Sequence, residues 1–435
     1  MIIQLSCLSK FWGTLYFANT SLIWTKYNFK LYDDYFKEFN EIITESTTNY
    51  LSSIDDKGIK TDYDYFINLN NTVHYGFSFT QHTFNPQIID NKLKNDSLIS
   101  SKPIRNLETS FYVEYESKWT SSLSTNLGLR TNIYQLPNKN TWFIEPRFVL
   151  NYQFYKALTT KISYAKTSQS IHQLSNTGVG FPTDLWVPAT EKVPIAYAQQ
   201  LAIGLSKDFD KSYSLSIESY YKWLYNIISY KDDATFVSTT NEKTSNFWEQ
   251  RITSGKGWAY GTELLLKKNN GKLTGWVAYT LSWSIREFEE LNYGKPFYSR
   301  QDRRHDFEIV GTYKINKKIK LSANWIYTSG NAITAPLATY SGFPNDIIGS
   351  VYYGQMNAFR TKPIHRLDIG LQLYKMRKQI ESYWDFSIYN AYNRQNPFYY
   401  AVETIENKQQ QITKYSLRSR ALFPIIPSIS YNIKF

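Results

Sequence analysis

Histidine and cysteine are the residue types in this chain that most often bind metals or act as catalytic groups. The five histidines are His74, His82, His172, His305 and His365. None of them has a second histidine four residues away, and Cys7 is the only cysteine. Metal centres and disulfide frameworks need such ligands in closely spaced sets, so the sequence predicts no metal site, no bound cofactor and no disulfide. His305 and His365 lie beside Arg and Asp, where we expect them to order a loop or a wall.

Neighbouring carboxylates are the other candidates for acid–base chemistry. Asp232-Asp233 and Glu289-Glu290 lie in segments predicted to be loops, where solvation or calcium binding is the expected role. Two adjacent carboxylates in a strand would point to opposite sides. The chain also has no Gly-x-Ser-x-Gly elbow and no glycine-rich phosphate-binding loop. We therefore expect that this protein is not an enzyme.

Strands rather than helices must position these residues, because apolar side chains recur at every second position. Near the C-terminus one face of a predicted strand is apolar and consists of Ile429, Tyr431, Ile433 and Phe435. The other face is polar and consists of Ser428, Ser430, Asn432 and Lys434. Side chains of a strand point to alternate sides, so such a strand must lie between an apolar and an aqueous medium. The same alternation recurs throughout the chain and predicts an all-β protein.

Connections between the predicted strands alternate between two lengths. Short polar turns lie near residues 68–71, 118–121, 208–212, 269–271, 316–318 and 377–379. Long segments lie at residues 40–57, 85–103, 170–194, 231–254, 287–301, 330–363 and 393–416. Short turns at one end and long loops at the other are typical of outer-membrane barrels. We therefore predict a single domain, residues 1–435, that folds as an antiparallel transmembrane β-barrel with about sixteen strands.

The composition agrees with this assignment. The chain has 37 Tyr, 26 Phe and 12 Trp among 435 residues, which favours strands. The mean hydropathy is −0.45 and no run of about 18 apolar residues occurs, which excludes a transmembrane helix. The net charge of +12 is spread along the chain, which argues against nucleic-acid binding and fits either a basic lumen or an ordinary solvated surface.

Residues 1–10 lack the parts of a secretory signal, so we expect a protein that is not exported or a sequence whose beginning is missing.

Short motifs along the whole chain are similar to those of one family. They are Asp64–Asn68 with Thr80–Pro86, Gly128–Arg130, Glu145–Arg147, Ile171–Asn176, Pro182–Pro188, Gly257–Glu263, Gly275-Trp276, Asp302–His305, His365–Asp368, Tyr389–Pro397 and Phe423–Tyr431. Each motif is weak by itself, but their order and spacing are specific. In these features the chain resembles TonB-dependent outer-membrane receptors of the Bacteroidetes type.

The resemblance implies an import receptor in the outer membrane of a Gram-negative bacterium. Such receptors take up scarce nutrients, usually iron chelates, cobalamin or glycans, with energy supplied by TonB. The resemblance also implies a plugged barrel of about 22 strands, of which this chain supplies the C-terminal part. The plug and the TonB-contacting segment of the family lie upstream of the matched region. We therefore expect an incomplete barrel that reaches the TonB complex only through a missing N-terminal region and is not competent alone.

Two sets of residues are candidates for interactions. The alternating residues Ile429, Tyr431, Ile433 and Phe435 resemble the signal that the barrel assembly machinery recognises. The alternative is a last strand whose lipid face ends in Phe. Trp186 is a candidate external-loop contact for a solute or a surface lipoprotein, and the alternative is a rigid turn whose Trp packs the loop onto the rim. Outer-membrane lipid is the expected partner of the apolar strand faces.

Two other classes of protein remain open. A plugless diffusion porin of sixteen strands would conduct ions across a planar bilayer. A secreted β-rich adhesin would stay in the aqueous fraction when membranes are extracted with detergent. The separation of loop lengths and the continuous motifs favour the receptor, while neither the transported solute nor the oligomeric state follows from the residues.

Overall fold

The structure is a computed structural model, and it describes the chain in eleven ranges. These are residues 2–12, 15–39, 42–91, 103–155, 157–174, 185–210, 212–231, 247–340, 350–377, 380–406 and 412–434. Within them the only helices are two short 3₁₀ helices, at Phe247–Arg251 and Asn292–Gly294. No helix in this part of the chain is long and apolar enough to cross a membrane.

Strands make up most of the described residues. In chain order they are β1 Ile2–Trp12, β2 Tyr16–Phe39, β3 Ile42–Asn68, β4 Asn71–Asn91, β5 Ile104–Lys118, β6 Leu123–Leu136, β7 Lys139–Tyr155, β8 Leu158–Gln169, β9 Ile171–Leu174, β10 Leu185–Pro188, β11 Ala196–Phe209, β12 Tyr213–Tyr230, β13 Ile252–Lys268, β14 Leu273–Glu287, β15 Phe297–Tyr298, β16 His305–Lys314, β17 Ile319–Thr328, β18 Ala332–Ile333, β19 Pro336–Tyr340, β20 Ser350–Tyr353, β21 Phe359–Arg360, β22 Ile364–Arg377, β23 Ile380–Tyr389, β24 Tyr399–Glu406, β25 Ile412–Arg420 and β26 Ile426–Lys434.

Eighteen of these strands form one antiparallel sheet in which neighbours in the sheet follow each other along the chain. The order runs from β1 to β8, then through β11, β12, β13, β14, β16, β17, β22 and β23 to β26, with the two-residue β15 paired to β14. The remaining strands form two-stranded hairpins in the long connections. Among the described residues, β1 and β26 are not paired with each other. The predicted all-β antiparallel architecture of about sixteen strands is confirmed, and the count of eighteen includes the two-residue β15.

One predicted loop is wrong. Residues 42–57 of the predicted loop 40–57 are not an irregular connection, because β2 and β3 are paired from Tyr16 with Tyr65 to Phe39 with Ile42. The strand β4 likewise continues to Asn91, inside a second segment that was expected to be a loop. In the sequence, residues 42–49 are β-branched or polar and show no alternation of apolar and polar residues. The period-two signal therefore ends before the strands do.

The two faces of the sheet have opposite polarity, and their exposure is inverted relative to a soluble protein. Phe111 is 51% exposed and lies opposite Phe77, with ring centroids 5.1 Å apart. The next residue, Ser110, points to the other face and is 1% exposed. Exposed apolar and buried polar side chains are the arrangement that a barrel in lipid requires. We call the face of Phe111 the outer face and the face of Ser110 the inner face.

Substitution on the outer face tests this assignment. Leu129 is exposed on the outer face of β6 and lies opposite Val113 and Pro146. We expect Leu129→Arg to lower the free energy of unfolding in phospholipid vesicles by about 2–3 kcal/mol, because the guanidinium must leave water. Urea titration measures this value. Asn126→Arg on the inner face of the same strand is the matched control, with an expected change within about 0.5 kcal/mol; equal losses for both variants would contradict the assignment.

Candidate functional site

The described parts of the connection between β8 and β11, residues 170–174 and 185–195, fold onto the inner face rather than outward. Its strands β9 and β10 form an antiparallel hairpin in which Trp186 lies opposite Gln173. Together with residues 189–195 this hairpin is called the inner loop. Leu174 and Val187 have no exposed surface and belong to the largest buried apolar cluster of the described residues.

This cluster joins two distant parts of the sheet. Besides residues of the inner loop, the cluster contains Phe84 of β4 and Ile104 of β5 from one side, and Ile228 of β12 and Ile252 of β13 from the other. The strands β6, β7, β8 and β11 lie between these two groups in the sheet. The sheet must therefore curve around the inner loop, which crosses the lumen side from one wall to the other.

Polar contacts fix both ends of the crossing. The buried Asn106 donates from Nδ2 to the carbonyl oxygen of Ala189 at 2.9 Å. Asn226 of β12 donates from Nδ2 to the carbonyl oxygen of Ile195, also at 2.9 Å. The hydroxyl oxygen of Thr190 accepts from the backbone N–H of Val193 at 3.2 Å. These bonds satisfy buried backbone groups that a loop away from water would otherwise leave unpaired.

His172 belongs to the same buried segment. It is 5% exposed, and its Nε2 lies 2.9 Å from the carbonyl oxygen of Pro194. Burial lowers the pKa of His172 to about 4, and the carbonyl of Pro194 offsets only part of this effect. The imidazole is therefore neutral at pH 7 and donates its N–H to that carbonyl.

We expect acid to loosen the inner loop. The folded pKa of His172 lies below its ordinary value of 6.5, so its stabilising contribution is complete above pH 6.5 and is lost as the pH falls towards 4. At pH 5 the loss is about 2 kcal/mol. Hydrogen exchange of the Ala189 amide, which is bonded to the Ser170 carbonyl at 2.7 Å, measures it. His172→Gln keeps a donor but does not titrate, so an unchanged acid response in that variant would contradict the prediction.

A repeated row of ionisable residues covers the inner face of β3, β4 and β5. His82 is buried, with Nδ1 2.8 Å from Asp56 and Nε2 3.7 Å from Glu108. Eight residues away, His74 has Nδ1 2.6 Å from Asp64 and Nε2 3.7 Å from Glu116. Within the described ranges no three His, Cys, Asp or Glu side chains are arranged to hold a metal ion. Each of the two rows, one around His82 and one around His74, therefore links β3, β4 and β5 through a histidine between two carboxylates.

Sequence reasoning treated these histidines as isolated and missed the rows. The missed signal is the common spacing of eight residues between Asp56 and Asp64, between His74 and His82, and between Glu108 and Glu116. In three antiparallel strands that share a register, equal even spacing on each strand places the sets on the same face.

Two of the sequence motifs form braces at the end of the sheet that carries the long connections. In the first, the carboxylate of Asp302 is fully buried, accepts the backbone N–H of Ser284 at 2.6 Å, and forms a short contact with Arg360. In the second, Asn396 accepts from the backbone N–H of His365 at 3.1 Å and donates to its carbonyl oxygen at 3.0 Å. The backbone of His365 is thus held to Asn396 of a long connection, and the ordering role expected of the histidine side chain stays a prediction.

The candidate interaction residues are placed as follows. Trp186 is partly buried and packs against the apolar cluster of the inner loop. Ile429, Tyr431 and Ile433 lie on the outer face of β26, where each is about half or more exposed. Phe435 lies outside the described residues. Recognition of the last strand by an assembly machinery, and contact of Trp186 with a solute or lipoprotein, stay predictions.

The fold is similar to solved import receptors. The ferric-catecholate import receptor Fiu from E. coli K12 has a TM-score of 0.58 at 13% identity, covering 97% of this chain and 62% of that chain. The ferric preacinetobactin receptor BauA from Acinetobacter baumannii has a TM-score of 0.62 at 12% identity, covering 98% and 61%. P. aeruginosa FpvA, solved with bound pyoverdines, has a TM-score of 0.62 at 11% identity, covering 98% and 54%. This chain therefore spans 54–62% of the length of these structures.

Sequence comparison gives the family. The model of the TonB dependent receptor-like β-barrel matches residues 9–394. No curated protein matches the chain. The family indicated by the motifs is confirmed, while the Bacteroidetes type and the absence of a plug stay predictions. The chain belongs to the family of TonB-dependent receptors, and it has their β-barrel fold.

Proposed function

We propose that the chain forms the wall of an outer-membrane receptor that imports a nutrient, with an iron chelate as the favoured solute, using energy from TonB. The observation that carries this proposal is the inverted polarity of the sheet. Large apolar side chains such as Phe111 and Leu129 are exposed on the outer face, while Ser110 and Asn132 are buried on the inner face. This pattern suits a protein that is surrounded by lipid and encloses a polar passage.

The choice of solute is supported by the solved structures. Those described above are receptors for ferric catecholate and ferric preacinetobactin and a protein with bound pyoverdines. They share the fold at 11–13% identity. We therefore propose only the chemical class of the solute of this chain, an iron chelate, and not a particular compound. The family-model match and these neighbours describe receptors and transporters, which supports transport over catalysis.

The partners follow from the same proposal. Outer-membrane lipid covers the outer face, and the barrel assembly machinery recognises the last strand through Ile429, Tyr431, Ile433 and Phe435. A plug and the TonB complex act with this barrel during import. A surface lipoprotein is the proposed partner of the long connections, with Trp186 as the contact.

Uptake by whole cells tests the function. Bacteria that carry the complete gene are starved of iron and given radioactive iron as a tris-catecholate chelate or as citrate. We expect cell-associated iron to fall to background when the gene is deleted and when a protonophore removes the energy for TonB.

Two outcomes would contradict the proposal. Uptake that needs the gene but persists with the protonophore would identify a passive pore. Recovery of the protein in the aqueous fraction after detergent extraction would exclude a membrane barrel. As a control, fully reduced and unchelated iron enters through other routes and is expected to be unaffected by deletion of the gene.

A further inference from the structure

A cavity of about 290 Å³ lies between the inner loop and the inner face of the sheet. Ile171 and His172 of β9 line it on one side, and Ala198 of β11 and Leu224 of β12 line it on the other. Lys222 and Arg286 also line this cavity. Its wall therefore combines aliphatic surface with two cationic side chains.

Both cations lack a carboxylate partner within the described ranges. No ion pair or hydrogen bond joins the Lys222 ammonium group to another described residue, and the guanidinium group of Arg286 has one hydrogen bond, at 3.4 Å, to the amide oxygen of Gln301. Two other cations on the inner face do have a carboxylate partner. Arg147 lies 3.5 Å from Glu114, and Arg366 lies 2.9 Å from Asp368.

The sheet brings the two cations to one place through Gly257. In the register of β12, β13 and β14, Leu224 lies opposite Gly257, which in turn lies opposite Arg286. A Cβ atom at Gly257 would lie 2.7 Å from the carbonyl oxygen of Ile285 and 3.2 Å from Cδ1 of Ile227. A side chain larger than hydrogen at Gly257 would therefore displace the strand backbone or Ile227, which lines the cavity.

The remaining lining adds donors but no negative charge. None of the lining residues is Asp or Glu. Glu145 reaches Ser168 of the lining, but its Oε1 already accepts from Asn132 Nδ2 at 2.7 Å and from Ser168 Oγ at 2.5 Å. His172 is neutral at pH 7 because of its burial. The two uncompensated cations thus set the electrostatic character of the cavity.

We propose that this cavity binds the carboxylate or phosphate group of an organic anion, with Lys222 and Arg286 as the binding residues. Oxyanions are the groups that guanidinium and ammonium donors recognise most strongly. The aliphatic side chains of Ile171 and Leu224 would contact the carbon skeleton that carries the charged group. The inference rests on the proposed import function and names the chemistry of the solute.

Calorimetric titration of the detergent-solubilised full-length chain tests the proposal, with citrate in one arm and inorganic phosphate in the other. We expect citrate to bind, and Lys222→Gln and Arg286→Gln each to weaken binding about tenfold or more. Lys222→Arg keeps the charge and is expected to retain binding, which separates loss of a ligand contact from misfolding. Tighter binding of phosphate than of citrate would assign the cavity to a phosphate group, and the reverse to a carboxylate.

Lys256→Gln is the matched control, because Lys256 is exposed, pairs with Glu287 at 3.1 Å and does not line the cavity. Absence of binding by either anion, or equal affinity in the glutamine variants of Lys222 and Arg286 and in this control, would overturn the proposal. Anion binding is measured without transport. Cells that import iron although the isolated protein binds neither anion would refute the cavity alone, and anion binding without energised uptake would refute the import function alone.

Discussion

Replacing Asp302 by alanine is expected to lower the free energy of unfolding by about 3–5 kcal/mol. The carboxylate has no exposed surface and accepts from the backbone N–H of Ser284 at 2.6 Å, from Arg304 at 3.5 Å and, through a shorter contact, from Arg360. Its removal leaves a buried N–H without an acceptor and two guanidinium groups without a counter-charge. Arg304 also lies over the ring of Trp283 at 4.4 Å, so this packing is expected to loosen as well.

Urea unfolding in detergent micelles measures the global effect, and hydrogen exchange of the Ser284 amide measures the local one. The control is Glu290→Ala, because Glu290 is exposed and pairs with Lys231 at 3.2 Å on the surface. That pair is expected to contribute less than about 1 kcal/mol. If Asp302→Ala and Glu290→Ala cost the same, Asp302 does not brace the connections and the prediction fails.

The fold was predictable wherever one strand face meets lipid and the other meets water. At β26 the alternation from Ile429 to Ile433 corresponds directly to the outer face that the structure shows. The same rule failed at residues 42–57, where β2 and β3 are paired although part of the sequence shows no alternation of apolar and polar residues. The alternation of apolar and polar residues thus indicates the environment of the two faces of a strand. It locates the end of a strand only where that environment changes.

The candidate site was less predictable because contacts distant in sequence build it. Asn106 and Ala189, which form one hydrogen bond, are 83 residues apart. The Pro182–Pro188 motif singled out Trp186. Nothing in the motif itself specifies that Trp186 packs against a cluster formed by β4 and β12. The sequence motifs around Asp302 and His365 were recognisable as family features, while their role as braces emerges only from their hydrogen bonds.

These observations connect stability with the proposed binding site. The inner loop is held by β5 and β12, and it covers the cavity that contains Lys222 and Arg286. A change that releases the inner loop should therefore alter solute binding without touching either cation. The junction of β7 and β8 is the place where such coupling is expected to be strongest, because it lies directly beside the cavity residue Ser168.

Glu145→Ala is expected to destabilise this junction by about 3–5 kcal/mol. The two strands stop pairing beyond Arg147 and Ala165, and the 2% exposed Glu145 replaces the missing ladder contacts. Its Oε1 accepts from Ser168 N–H at 2.5 Å, from the Ser168 hydroxyl at 2.5 Å and from Asn132 Nδ2 at 2.7 Å. Alanine would remove the acceptor of the Ser168 N–H, whereas the Ser168 hydroxyl keeps its 2.9 Å contact with the Tyr134 hydroxyl and Asn132 Nδ2 keeps its 3.2 Å bond to Ser168 Oγ.

Glu145→Gln separates the acceptor from the charge. All three bonds use Oε1, so a glutamine carbonyl oxygen at this position can accept each of them, and the expected cost falls to about 1–2 kcal/mol. Glu114→Ala is the matched control, because Glu114 is a quarter exposed and lies 3.5 Å from Arg147. Its loss should cost less than about 1 kcal/mol. Hydrogen exchange of the Ser168 amide follows the junction directly, and protection of that amide in Glu145→Ala equal to the wild type would show that the carboxylate does not hold β8.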